Sequence, residues 1–110
     1  MRLEEQAMTN TDAKIMRDLH IPVNGFYFDQ ILAGEKVEEY RLRTPHWGAR
    51  VAGRQYRHVI LTRGYPKGGG IEGVTRLTRP WRGYTERTIT HPHFGDKPVA
   101  VYAIYVGPTS

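Results

Sequence analysis

The chain has 110 residues, 39% of them hydrophobic, which is enough for one core and one domain and too apolar for a disordered segment. It has no cysteine, which excludes a disulfide framework, a thiolate metal site and a thiol nucleophile. Sixteen Lys and Arg against eleven Asp and Glu leave a net charge of +5 and a pI near 9.7, unevenly spread.

Residues 1–39 carry four cations and eight acids, whereas residues 40–110 carry twelve cations and three acids. Twelve of the sixteen cations are arginine, whose planar fork matches phosphate and whose face stacks on bases. This asymmetry favours a polyanionic partner; the bland alternative is a basic protein kept soluble by its charge. The longest apolar run, Val99 to Val106, is eight residues, against about 20 for a membrane-spanning helix. Glu4, Glu5 and Asp12 occupy the N-terminus in place of an apolar export segment. The expected setting is cytoplasmic, with no membrane partner.

Residues 1–18 read as a polar arm, with Thr11 or Asp12 able to cap a short helix through Leu19, and residues 19–110 as the domain. Leu19 to Val23 reads as an edge strand because Pro22 lacks a ladder donor. Asn24 then caps a helix over residues 25–33, which Gly34 stops. A strand over residues 36–43 follows, and Pro45 to Gly53 opens with proline and closes with glycine, as a short helical turn does.

Arg57 to Thr62 reads as a buried strand and Gly64 to Gly70 as a flexible loop. Ile71 to Trp81 alternates, with Ile71, Val74 and Leu77 expected to point inward and Gly73 hinting at a bulge. Residues 82–98 read as a long connection containing at most a helical turn. Val99 to Val106 is apolar on both faces, hence a central strand. The outcome is an α+β, mostly β fold: a small barrel-like domain of five or six strands with one or two short helices.

The strand over residues 36–43 is charged on both faces. Alternation puts Val37, Glu39, Arg41 and Arg43 on one side and Lys36, Glu38, Tyr40 and Leu42 on the other. Glu39 and Arg41 are close enough to pair, and if buried they must, because an unpaired buried charge costs several kcal/mol. Two readings stand here: a cleft wall, or an edge strand charged against aggregation.

Ile31, Gly34, Lys36, Glu39 and Arg41 fit the pattern I-x-x-G-x-K-x-x-E-x-R, which resembles the signature of the ASCH domain, a family of PUA-like β-barrels. The likeness runs from Leu19 to Val106. It implies a cleft between barrel and helix, lined by the strand that carries Lys36, Glu39 and Arg41, and a role in binding RNA or other nucleic acid. Some members act as ribonucleases, and a branch of small members hydrolyses acetylated cytidine with a Lys, a Thr and a Glu. Lys36 carries over to that branch; Glu39 stands where it has threonine.

Further signals surround this strand. Arg79, Trp81, Arg82, Tyr84 and Arg87 interleave cations with rings, which suits single-stranded nucleic acid, or else a tryptophan anchoring a loop. Arg50, Arg54 and Arg57 lie near Trp47 and Tyr56. Lys67 sits in a glycine-rich loop that lacks P-loop spacing, yet its amides could approach a phosphate. His91, His93 and Asp96 superficially resemble metal ligands, but no third ligand is compelling, and the two histidines read as surface loop. His20 and His58 fall within strands.

The expected function is therefore a nucleic-acid-binding module that holds RNA or single-stranded nucleic acid in a basic cleft, with no cofactor and no metal. The binding residues are Lys36, Glu39, Tyr40, Arg41 and Arg43, extended by Arg50, Arg54, Lys67, Arg79, Trp81 and Arg82. Two rivals are a protein-interaction module docking an acidic partner and a hydrolase of RNA or of a modified nucleoside. In a ribonuclease, Lys36 and Glu39 would be catalytic, with Glu39 or a histidine as base and Lys36 and Arg41 steadying the phosphorane.

Overall fold

A computed structural model describes residues 17–108. It contains six strands and two helices: β1 (Asp18–Val23), α1 (Gly25–Leu32), β2 (Glu38–Leu42), α2 (Pro45–Val51), β3 (His58–Arg63), β4 (Arg76–Pro80), β5 (Tyr84–Ile89) and β6 (Val99–Tyr105). The strands form two three-stranded sheets, ordered β1-β3-β4 and β2-β6-β5. The domain is thus mostly β, and among the described residues the ladders make two sheets rather than one closed ring.

Local chemistry accounts for most element ends. The Asn24 side chain accepts the Tyr27 N–H at 2.9 Å, a cap worth about 1 kcal/mol. Phe28 and Ile31, one turn apart on α1, are fully buried, and Gly34 then turns the chain at φ 80°. Thr44 caps α2 through the Trp47 N–H, with Pro45 at its first turn. Along β1, Leu19, Ile21 and Val23 alternate into the core.

The two central strands are the most apolar ones. β3 lies between β1, parallel, and β4, antiparallel, and buries Val59, Ile60 and Leu61 in succession. β6 lies between β2 and β5, both antiparallel, and buries four residues in a row, Val101 to Ile104. Side chains of both sheets and both helices meet in one core, from Leu19, Ile21 and Phe28 to Tyr102, Ile104 and Val106.

Four expectations need correction. β2 begins at Glu38, so Lys36 lies in the turn before it rather than in the strand. Ile71 and Val74 are exposed and only Leu77 is buried, because β4 begins at Arg76 and the preceding segment is a turn. Residues 84–89, read as connection, form β5, an edge strand with four of six residues exposed that therefore shows no apolar alternation. Asp18 opens β1 and pairs with Arg57 and His58, so it belongs to the domain rather than to an arm. The rest of that arm lies outside the described residues.

Candidate functional site

β1 and β2 are both edge strands, one in each sheet, and the seam between them is lined by Pro22 of β1 and Glu39 to Leu42 of β2. Arg41 bridges it: one guanidinium nitrogen donates to the Pro22 carbonyl at 2.6 Å and lies 3.1 Å from a Glu39 carboxylate oxygen. Pro22 suits this position because it needs no ladder partner for an N–H. The Arg41 guanidinium also sits 5.0 Å from the centre of the Trp47 ring. It therefore ties β1, β2 and α2 together.

Beside this bridge the seam opens into a cavity of about 340 Å³. Lys36, Glu39, Tyr40 and Arg41 form its polar wall, and Tyr27, Trp47, His91, His93 and Phe94 supply rings around them. The rings pack edge to face in a chain: Tyr27 to His91 at 5.6 Å, Tyr27 to His93 at 5.7 Å, and His93 to Phe94 at 5.0 Å. The turn Pro92–Phe94 carries this aromatic wall over from the end of β5.

Lys36 is the centre of the polar wall. Its ammonium lies 3.8 Å from Glu39, 5.0 Å from the centre of the Tyr27 ring and 4.6 Å from that of Tyr40. Because Lys36 precedes the strand, the alternation that would set it opposite Glu39 does not operate. The turn after Gly34 brings it to Glu39 instead.

Glu39 is the one buried charged residue among the described residues, at 6% exposure. Burial pushes its carboxyl pKa up, against the pull of Arg41, Lys36 and His93. Burial likewise pushes the Lys36 ammonium pKa down, although Glu39 and Glu38 oppose this. Desolvation thus drives both partners towards neutrality. His91 is lowered too, by burial first and then by the Lys36 and His93 charges. Tyr40 is raised by burial and by its bond to Glu38 at 3.2 Å.

The remaining sequence candidates lie elsewhere. Arg50, one turn after Trp47, reaches that ring at 6.0 Å and donates to His46 at 3.1 Å, which places it at the cavity's rim. Arg43 pairs with Glu86 at 3.1 Å and does not line the cavity. Arg54 bonds the Ala49 carbonyl, and Arg82 lies over Tyr105 at 5.3 Å. Trp81 packs on the core against Tyr56 at 5.2 Å. Lys67, Arg79, Trp81 and Arg82 do not line the cavity.

Several arginines of the basic half are matched to acids: Arg57 with Asp18, Arg63 with Asp29, Arg76 with Glu72, and Arg87 with Glu38. Three of these four pairs take their acid from the first half, and together they shrink the surface left for phosphates.

Sequence reasoning missed the ring wall. Tyr27 looked like helix, and His91 and His93 looked like surface loop, because nothing local says that the Pro92–Phe94 turn folds back onto α1. Among the described residues no three His, Asp or Glu converge as a metal site would require, and no helix is long and apolar enough to cross a membrane. Comparison with protein-family models, with curated proteins and with solved structures yields no match.

Proposed function

We propose that the chain is an ASCH-like, PUA-like module that binds RNA or another single-stranded nucleic acid by taking one unpaired base into the seam cavity. The observation that carries this reading is the pairing of an aromatic wall with a cationic one, Lys36 and Arg41 about a buried Glu39, in one small cavity. Its volume of about 340 Å³ lies at the low end of ligand pockets, about 300–1,000 Å³, which suits a single nucleoside. Rings and guanidinium planes stack splayed-out bases, and charged groups read their edges. Arg50 at the rim suits the adjoining phosphate.

Ion pairing of Arg43, Arg57, Arg63, Arg76 and Arg87 argues for capture of one or two nucleotides rather than a long phosphate track. Salt dependence should therefore be shallow. Each phosphate contact adds about 0.7 to the slope of log affinity against log salt on a single strand, and one to three contacts are expected. The test is an anisotropy titration of labelled single-stranded RNA, with wild type beside Lys36→Met, which keeps the apolar stem and removes the charge. Weakening by about tenfold with a shallow slope is the expected result. Unchanged binding by Lys36→Met would remove the nucleic acid from this cavity.

A second reading has its own support. A lysine and a glutamate pushed towards neutrality by burial, side by side in a cavity, form the kind of pair that transfers protons in hydrolysis of RNA or of a modified nucleoside. It requires turnover of RNA or of acetylated cytidine that Lys36→Met abolishes with folding intact. Binding without turnover on either substrate leaves the module as a reader only.

A further inference from the structure

We propose that the open edge of β2 reads a lactam edge, a ring N–H beside a ring carbonyl as in uracil or guanine, through the main chain of Tyr40. This rests on the nucleic-acid reading and adds the chemical class of the base.

The ladder between β2 and β6 decides which main-chain groups are free. The Val106 N–H donates to the Val37 carbonyl at 2.8 Å, and the Arg43 N–H to the Ala100 carbonyl at 3.1 Å. In an antiparallel pair, residues alternate between facing the partner and facing away. Val37, Glu39, Arg41 and Arg43 therefore bond to β6, and Glu38, Tyr40 and Leu42 turn their N–H and C=O groups to the seam. The Leu42 carbonyl is taken by the Thr44 N–H at 2.8 Å. The Tyr40 N–H and carbonyl have no hydrogen-bond partner among the described residues.

That edge faces the cavity. Four successive residues, Glu39 to Leu42, line it, which side chains alternating between two faces would not do unless the strand's edge were the wall. Across the seam Pro22 has no N–H, and its carbonyl already accepts from Arg41. Along this wall Tyr40 alone keeps both a donor and an acceptor, set side by side as a residue offers them to an antiparallel partner. A ring N–H donating to the Tyr40 carbonyl, with the neighbouring ring carbonyl accepting from the Tyr40 N–H, completes such a pair.

The side chains favour a carbonyl-rich edge. Lys36 and Arg41 supply donors, while the carboxylate on this wall, Glu39, is held by both. Uracil presents carbonyl, N–H and carbonyl in sequence; adenine has no carbonyl and cytosine only one. An extended peptide would also satisfy Tyr40, but the rings of Tyr27, His91 and Phe94 around the cavity favour a flat aromatic ring as its occupant.

The test compares labelled single-stranded octamers of uridylate, 5-methyluridylate and 3-methyluridylate, which share charge and nearly share size. Only the last loses the ring N–H and sets a methyl against the Tyr40 carbonyl. The expected result is that 5-methyluridylate binds as uridylate does and 3-methyluridylate about tenfold or more weakly. An amide spectrum of the isotope-labelled chain should show the Tyr40 N–H shifting with uridine and staying in place with 3-methyluridine. Equal binding of 3-methyluridylate and uridylate, or tighter binding of oligocytidylate, overturns the lactam assignment and leaves the nucleic-acid reading standing. Failure of every octamer to bind overturns both, and a Tyr40 shift caused by an extended peptide alone reassigns the edge to strand addition.

Discussion

Between Tyr40 and Arg50, and again between Arg79 and Arg87, the chain mixes arginines with aromatic rings, yet the fold puts the two stretches to opposite uses. In the first, Arg41 and Arg50 stack on Trp47 at the wall and rim of a cavity. In the second, Trp81 packs on the core with Tyr56 and Tyr84 as neighbours, and Arg87 pairs with Glu38. Rings among cations are a composition. Whether they make a binding surface depends on what they adjoin: the hollow beside Arg82 and Tyr84 is lined by β5, β6 and Glu38, whereas the cavity at the β1/β2 seam is walled by Tyr27, Trp47, His91, His93 and Phe94.

The largest effect that separates the two regions is on stability. Trp81→Ala removes a half-buried ring from the core margin and should cost about 2–3 kcal/mol, less than the ~3–5 of a fully buried tryptophan. Urea unfolding measures it. RNA affinity, taken in the cold where the variant stays folded, should not change; a matching loss of affinity would dissolve the contrast. Next in size, Trp47→Leu keeps apolar bulk on α2 but removes the stacking face, which is worth ~1–3 kcal/mol per base. RNA should then bind about tenfold more weakly, while Arg82→Ala shifts affinity less than about threefold. The reverse order would move the binding surface to the second stretch.

The smallest effect sharpens the electrostatics of the cavity. Burial raises the Glu39 pKa in the folded state, so the folded chain binds this proton at a higher pH than the unfolded chain does. Its contribution to stability is then fully present below the unfolded pKa and is lost as pH rises through the folded one. Wild type should gain stability relative to Glu39→Gln as pH falls from neutral into the mildly acid range, read from unfolding midpoints at each pH. A difference running the other way would mean that Lys36, Arg41 and His93 outweigh burial and hold Glu39 ionised.

Much of the architecture was legible in local chemistry. Asn24 and Gly34 bracket α1, Pro22 marks an edge, and Val99 to Val106 announces a central strand, because caps, missing donors and apolar runs act within a few residues. β5 was not legible: an exposed edge strand buries too little for its alternation to show. Ile71 and Val74 misled for the converse reason, since apolar residues in a turn imitate strand periodicity without a sheet to face. The pairing of Glu39 with Arg41 was read correctly from an i, i+2 spacing, whereas that of Glu39 with Lys36 was not.

By itself the sequence determined a mostly β fold with an arginine-rich half and a charged strand at its middle, since propensity, capping and charge are properties of neighbours along the chain. The tertiary structure alone decided that two edge strands would leave a seam, that Arg41 would bridge it, and that Tyr27 and the turn after β5 would wall it with rings. It also decided which arginines stay available, because acids from the first half reach those of the second only once the sheets have formed. Contacts between residues tens of positions apart depend on how the layers stack, and no local spacing encodes that.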